Sequence, residues 1–289
     1  MSNRILYEQA KSGTGTSRGM SYWEVASNCG RKRNLIQLHR DVAAALDETD
    51  SKTTGTYYHW LQSEWAEGRI ALDQPIDVGD IVDPEWAEAI RLFNFYRQNR
   101  PLNYFGKIIG AEVSFPVDDT HRECIALFMA MHPEDPDVPT GQADRLVYMD
   151  DATVDRIEFD NDIVLRGPGL YIHDHKTTGQ RKGESNIRAD WTDTVQALAY
   201  PVLYNVGPSY LGKVKGFLVD GIVKHKNLEL SKSLQIGFAP YSDENDDIVR
   251  SAIVEARFLR DRNIANPFAC YSKFGQPCAF LENGLCPRK

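Results

Sequence analysis

Long apolar runs are missing from this sequence. No stretch reaches the roughly 18 apolar residues that a membrane-spanning helix needs, and the first residues, 1–6, lack the apolar core of a signal peptide. We therefore expect a cytoplasmic protein. The Gly-x-x-x-x-Gly-Lys-Ser/Thr loop of ATP-driven motors is absent as well, so we expect the chain to have no motor of its own.

Positive charge is also in deficit. The chain has 41 acidic and 33 basic residues, a formal net charge of -8. This balance disfavours a protein whose whole surface binds nucleic acid, although a bound metal ion or a local basic surface can reverse the sign at one site. The composition, 42% hydrophobic and 26% charged, is that of an ordinary globular protein and gives no indication of disorder.

Cysteines are few, five in all, and their odd number in a chain with no export signal disfavours a disulfide framework. Cys124 lies in an apolar stretch and is expected to be buried. Cys270, Cys278 and Cys286 are separated by seven residues each in a turn-rich segment. With Cys29 they make a candidate zinc or iron-sulfur site that joins the two ends of the chain, and the long spacing favours a cluster.

Two acidic residues in apolar surroundings are the strongest functional signal. Asp144 opens Asp-Arg-Leu-Val-Tyr, and Asp174 follows thirty residues later in Asp174-His175-Lys176. Both segments are typical of strands, so two carboxylates and one lysine are expected at one edge of a sheet. Such oxygen ligands suit Mg²⁺ or Mn²⁺, which can acidify a water and neutralise a phosphodiester. A solvated salt bridge at strand ends is the alternative interpretation.

The remaining patterns indicate an α/β protein in which helices flank a sheet. Helices are predicted after Gly55, from Asp83-Pro84, at 189–204 and at 244–262, and strands at 107–117, 141–149, 154–159, 170–177, 214–223 and 228–238.

Four further side chains are candidates for the same site. His59, on the helix predicted after Gly55, would complete a mixed ligand set that favours Mn²⁺, although a lone helical histidine is also typical of a packing residue. Glu112 could reach the site or pair with an arginine such as Arg145. Gln196 and Tyr200 lie one helical turn apart and could grip an extended strand; a surface Gln beside a half-buried Tyr is the alternative.

A resemblance joins these motifs into one family pattern. The motifs are Gly55…His59, Gly141…Asp144, Asp174-x-Lys176 and Gln196-x-x-x-Tyr200. In this order they resemble the RecB-like branch of the PD-(D/E)XK nuclease superfamily, over nearly the whole chain. With one cysteine near the N-terminus and three at the C-terminus, the chain is similar to the iron-sulfur members of that branch, such as AddB-type helicase-nucleases and CRISPR-associated RecB-like exonucleases. It departs from them in having Asp174 where many relatives have Glu, and in wider cysteine spacing.

The resemblance implies a restriction-endonuclease-like core, a central mixed sheet flanked by helices, whose N- and C-terminal segments are joined at a metal cluster. The implied divisions are a flexible N-terminus at 1–20, a helical region with Cys29 and His59 at 21–106, the nuclease core at 107–240, and a C-terminal helix with the cysteine loop at 241–289.

It also implies roles for the site residues. His59, Asp144 and Asp174 would bind the catalytic Mg²⁺ or Mn²⁺ together with the backbone carbonyl of His175, and Lys176 would position and polarise the attacking water. Gln196 and Tyr200 match the element that contacts DNA near the scissile phosphate. Cys29, Cys270, Cys278 and Cys286 match the ligands of a structural [4Fe-4S] cluster, with zinc as the alternative.

The expected function is therefore that of a metal-dependent DNA nuclease, an exonuclease that acts on DNA ends. A structure-specific endonuclease and a non-catalytic DNA-end-binding assembly subunit that retains the fold are the alternatives. The expected substrate is single-stranded DNA or a free end, stacked on aromatics such as Tyr57, Tyr58 or Trp60, and unwinding would come from a helicase or recombination partner. By resemblance, a nuclease of this kind fits a prokaryotic or phage-infected cell.

Overall fold

The computed structural model describes most of the region between residues 50 and 264. The described residues are 6–10, 35, 50–70, 75–77, 81–135, 138–179, 194–207, 211–264 and 286. None of the described helices is long and apolar enough to cross a membrane. Cys29 lies outside this part. Of the divisions at 1–20 and 241–289, the structure describes residues 6–10, 241–264 and 286.

Helices and strands alternate along most of the described chain. The helices are α1 Asp50–Ala66, α2 Pro84–Asn99, α3 Asp119–Phe128, α4 Asp151–Asn161, α5 Val195–Val206, α6 Leu230–Ser233 and α7 Asp243–Asp261. The strands are β1 Lys107–Phe115, β2 Gly141–Met149, β3 Gly169–Gly179, β4 Val214–Lys224 and β5 Leu234–Pro240.

The five strands form one mixed sheet in the order β1-β2-β3-β4-β5. β3 and β4 are parallel, and the other neighbours are antiparallel. A parallel pair needs a crossover connection, and α5 lies in the segment between these two strands. The expectation of an α/β protein with a helix-flanked mixed sheet is therefore confirmed.

Both faces of the sheet are covered, and alternation along the strands divides the core. In β4, Val219 belongs to a core that it shares with α3, α5 and α7. Leu218 and Ile222, one residue before and three residues after Val219, point to the opposite face. Leu218 packs in a core with α4, and Ile222 packs in a core with α1 and α2. We call these the α3/α5/α7 core, the α4 core and the α1/α2 core.

Aspartate caps begin three of the helices. Asp83, Asp118 and Asp150 precede α2, α3 and α4, and each accepts hydrogen bonds from backbone N–H groups of the first turn. These groups have no partner within the helix, so the caps fix where the helices begin. The predicted start of a helix at Asp83-Pro84 is confirmed.

Three predictions about local structure were wrong. Residues 154–159, predicted as a strand, belong to helix α4, because the Asp150 cap starts a helix and Val154 and Ile157 face the core at helical spacing. The predicted strand at 228–238 is interrupted by α6. Cys124 is partly exposed rather than buried, because α3 turns Ile125 and Ala126 into the core instead.

Candidate functional site

The sheet splits between β2 and β3, and the candidate site lies at this split. Pairing of β2 with β3 ends at Arg145 and His173, whereas β1–β2 pairing continues to Gly141 and β3–β4 pairing to Gly179. We call the diverging segments, 141–144 of β2 and 174–179 of β3, the fork. The register, continued by one residue, sets Asp144 opposite Asp174.

Helix α1 brings His59 to the fork. The absence of a side chain at Gly55 allows the helix to approach β3 closely, since a Cβ there would lie 3.1 Å from Oγ1 of Thr177. One turn later, Nδ1 of His59 lies 2.9 Å from Oδ2 of Asp144. A histidine and an aspartate 85 residues apart in sequence therefore share one contact.

Beyond the last β2–β3 backbone pair, the Asp144 carboxylate accepts a hydrogen bond from β3 that a backbone carbonyl of β2 would otherwise accept. Its Oδ2 accepts the backbone N–H of His175 at 2.7 Å and lies 3.0 Å from Nδ1 of the same residue. Burial, and then the Arg145 charge, holds the pKa of His175 well below its usual range, so the ring is neutral. An ionised carboxylate can only accept, so the tautomer that fits this contact has its proton on Nδ1, which donates a hydrogen bond to Asp144.

Asp174 and Lys176 form an ion pair on β3. Their side chains lie on the same face because strand side chains alternate, as the sequence predicted. The Asp174 side chain is fully buried, whereas the side chains of Lys176 and His59 are 13% and 19% exposed. Solvent therefore reaches the site beside the lysine and the helical histidine.

The types of donor at the fork suit a hard divalent cation. They are carboxylate oxygens and an imidazole nitrogen, which suit Mg²⁺ and Mn²⁺. Among the described residues, however, the three ligand atoms that lie within 4.8 Å of one another are those of His173, His175 and Asp220, and not those of His59, Asp144 and Asp174. Adjacent ligand atoms on an octahedral ion with bonds of about 2.1 Å lie about 3 Å apart. The 2.9 Å between Nδ1 of His59 and Oδ2 of Asp144 is compatible with this spacing and is equally the length of the hydrogen bond between them.

Glu112 lies on the same side of the sheet, in β1. The pairs on either side of it set it opposite Asp144. Its backbone has a positive φ of 51°, which is uncommon for a residue other than glycine. Its carboxylate accepts the side-chain amide of Gln142 at 2.7 Å. Arg145, the partner considered from sequence, donates to the backbone carbonyl and side chain of Gln62 instead.

Helix α5 closes one side of the fork through Tyr200. This residue is buried, its ring lies against Gly141, and its hydroxyl accepts the Gln142 N–H at 3.4 Å. Gln196 is only partly buried. The tyrosine therefore supports the β2 arm of the fork, and contact of either residue with DNA stays a prediction.

The aromatics proposed for base stacking lie elsewhere. Tyr57 and Tyr58 are buried in the α1/α2 core, so their faces are not open to a nucleobase, and that prediction was wrong for both. Trp60 is partly exposed. Helix α1 turns its tyrosines inward because its inner face packs on α2.

Of the four predicted cluster ligands, Cys286 is described and is buried. Cys29, Cys270 and Cys278 lie outside the described residues. The cluster therefore stays a prediction that rests on the sequence.

Sequence reasoning missed a set of buried polar side chains beneath the fork, on the face of α1 and α2. We call it the buried polar layer; its members are Tyr58, Gln62, Tyr96, Arg100, Arg145, His173, His175 and Asp220. One signal was available: Asp220 interrupts the apolar strand Phe217-Leu-Val-Asp220-Gly-Ile-Val. An acidic residue inside such a strand needs a buried partner.

Comparisons of this chain with protein-family models, with curated proteins and with solved structures found no match.

Proposed function

We propose that this protein is a metal-dependent DNA nuclease, an exonuclease that hydrolyses phosphodiester bonds at DNA ends. The observations that support it are the contact of His59 with Asp144 and the strand register, which, continued by one residue, sets Asp174 and its partner Lys176 across the fork from Asp144. Two carboxylates, an imidazole and an ammonium come from three separate segments of the chain. A purely structural salt bridge between β2 and β3 would need neither the histidine of α1 nor a second acid.

The residues of the fork have separable roles in this proposal. His59, Asp144 and Asp174 hold Mg²⁺ or Mn²⁺, with the His175 carbonyl as a further ligand. When bound, such an ion lowers the pKa of a water and offsets charge on the phosphate. Lys176 orients the attacking water and stabilises the negative charge on phosphorus oxygens in the transition state. Attack on phosphorus breaks the bond to the 3′ oxygen, which takes up a proton, and leaves a 5′-phosphate.

The order of motifs supports a place in the RecB-like branch of the PD-(D/E)XK nucleases. The proposal includes the branch's structural [4Fe-4S] cluster on Cys29, Cys270, Cys278 and Cys286, with zinc as the alternative. It assigns the cluster no catalytic step. Gln196 and Tyr200 are the proposed contacts to DNA, and a helicase or recombination protein is the proposed partner.

The test compares cleavage of end-labelled linear DNA with cleavage of closed circular single-stranded DNA, in the presence of Mn²⁺. We expect the linear strand to be degraded and the circle to survive. Cleavage of the circle would instead indicate an endonuclease. Binding to ends without cleavage would indicate an assembly subunit.

The assignment of the site is tested by removing the ammonium. We expect Lys176→Met to lower the rate of cleavage at least a hundredfold while the protein stays folded by circular dichroism. Lys215→Met is the matched control, because Lys215 lies on the neighbouring strand and donates to the Arg166 carbonyl far from the fork. Full activity in Lys176→Met would sink the assignment.

A further inference from the structure

The buried polar layer lies directly behind the candidate metal ligands. It occupies the face of the sheet between the α1/α2 core and the α4 core, where Leu218 and Ile222 flank Asp220 in β4. His173, His175 and Asp220 are each at most 1% exposed. Burying ionisable groups costs free energy unless hydrogen bonds or opposite charges compensate them. A set of them at this depth therefore indicates a specific role.

His175 connects the fork to the buried polar layer. His175 holds Oδ2 of Asp144 through two groups, its backbone N–H at 2.7 Å and its ring Nδ1 at 3.0 Å. The position of this carboxylate therefore depends on where the His175 ring sits.

Aromatic rings enclose the His175 ring. Tyr58 and Tyr96 meet it edge-on at centroid distances of 6.2 and 5.4 Å, and His173 lies at 4.5 Å. On its other side, His173 packs against Phe105 at 4.3 Å. The two imidazoles therefore form a packed column between α1, α2 and the loop before β1.

Asp220 anchors the far end of this column. Its Oδ2 accepts the Tyr96 hydroxyl at 2.5 Å and lies 3.7 Å from Nε2 of His173, and its Oδ1 lies 3.5 Å from Arg100. Burial acts to raise the pKa of Asp220, but Arg100 and then His173 outweigh it and lower the pKa to about 2. The carboxylate is therefore ionised, and Tyr96 touches both Asp220 and the His175 ring.

A second metal ion is the competing interpretation of this cluster, because ligand atoms of His173, His175 and Asp220 lie within 4.8 Å of one another. Two observations oppose it. The Asp220 carboxylate already accepts the Tyr96 hydroxyl through Oδ2, and its Oδ1 faces the Arg100 guanidinium at 3.5 Å without a hydrogen bond. The Arg145 charge also bears on both imidazoles, so a further dication would add to two buried guanidinium groups.

We propose that Asp220, Tyr96 and His173 are positioning residues that fix the His175 ring and, through it, the metal-binding carboxylate of Asp144. This inference rests on the proposed role of Asp144 as a metal ligand. Groups that orient metal ligands from behind typically change metal affinity or activity by about 10- to 100-fold when they are replaced.

The experiment measures Mn²⁺ binding by calorimetry, which is independent of DNA cleavage. We expect Asp220→Asn and Tyr96→Phe to raise the dissociation constant for Mn²⁺ about tenfold. At saturating Mn²⁺ the cleavage rate should recover to within a few-fold of the wild-type rate, because no reacting group has been removed. A loss of rate without loss of affinity would contradict the positioning role.

Tyr171→Phe is the matched control. Tyr171 is fully buried on the same face of β3, in the α4 core, and its hydroxyl donates to the Gly167 carbonyl at 2.5 Å. We expect its Mn²⁺ affinity to equal that of the wild type. Asp220→Asn could fail to fold because Arg100 loses its counter-charge. In that case the Mn²⁺ affinity of Tyr96→Phe tests the positioning role, since this variant removes one hydroxyl only.

The outcomes separate the two proposals. Mn²⁺ binding that weakens in Tyr96→Phe, in a wild-type protein that cuts no DNA, supports the positioning role and overturns the nuclease. Wild-type affinity in both variants overturns the positioning role, as does a wild-type protein that binds no Mn²⁺. A second equivalent of metal that disappears in His173→Gln would show that the layer is itself a metal site, and would also overturn the proposal.

Discussion

At the scale of single residues, Oδ2 of Asp144 is where several parts of the chain meet. It contacts the His59 ring, the His175 backbone and the His175 ring. A buried carboxylate costs several kcal/mol unless donors surround it, and here these donors are supplied by α1 and β3. Asp144 is therefore held in place before any cation binds.

Asp83 is a residue whose contribution to stability should depend on pH. It caps α2 and accepts the hydroxyls of Tyr7 at 2.9 Å and Tyr57 at 3.3 Å. Burial acts to raise the pKa of Asp83, but hydrogen bonds from the Trp86 N–H and from Tyr7 outweigh it and lower the pKa. We expect Asp83→Ala to lower the free energy of unfolding by about 1–2 kcal/mol at pH 7, measured by urea denaturation.

The sign of the pH effect follows from the lowered pKa. The stabilisation is present above the unfolded-state pKa of about 3.9 and is lost as the pH falls through the lower folded-state pKa. The difference between wild type and Asp83→Ala should therefore shrink below about pH 4. Asp150→Ala, which removes an exposed cap of α4, is the control and should cost less. An Asp83→Ala loss of equal size at pH 7 and pH 3 would contradict this account.

At the scale of elements, the fork depends on how closely α1 and α5 approach the sheet. Gly55 admits α1 against Thr177, and Gly141 admits the Tyr200 ring of α5. The ring is confined on other sides by Phe115 and Phe217, at centroid distances of 5.3 and 5.8 Å. It has little room to move away from an added side chain.

We therefore expect Gly141→Ala to destabilise the protein. The new Cβ would lie 2.7 Å from a ring carbon of Tyr200, and overpacking of this kind typically costs about 1–3 kcal/mol. Chemical denaturation measures the loss. In the double variant with Tyr200→Leu the smaller side chain should relieve part of the clash, so the two losses should not add. Additive losses would show that the contact with Tyr200 is not the cause.

Helix α4 shows why one element was mispredicted. Ile157 and Phe159 alternate with polar residues as in a strand, but Phe159 is 89% exposed, so the alternation does not correspond to burial. Val154 and Ile157, three residues apart, are the buried pair. The Asp150 cap was the local signal that favours a helix over a strand here.

At the scale of the whole molecule, a cation at the fork should stabilise the entire fold, because β2, β3 and α1 all supply contacts there. A ligand that binds only the folded state adds about 2.7 kcal/mol at a concentration of 100 times its dissociation constant. We expect Mn²⁺ to raise the melting temperature, and Asp144→Asn to abolish this increase. Asp155→Asn, an exposed acid on α4, is the control and should retain it. An equal increase in all three proteins would place the bound ion elsewhere.

The sequence by itself determined the α/β class, the bounds of most strands and the types of residue at the candidate site. The β2 segment Gly141–Met149 was predicted with its observed ends. The pairing of Asp174 with Lys176 followed from strand alternation alone. Such features are readable because the spacing of apolar and polar residues reports local geometry directly.

Only the tertiary structure decided which distant side chains meet. His59 was a candidate for the same site as Asp144, but only the structure shows the contact between Nδ1 of His59 and Oδ2 of Asp144. Nothing in the spacing of the chain indicates that Asp220 lies behind His175 with Tyr96 and Arg100 around it. These contacts depend on where β2 and β3 separate and on how α1 and α2 cover the sheet. Both are set by the packing of whole elements against each other, a long-range property that no local pattern carries.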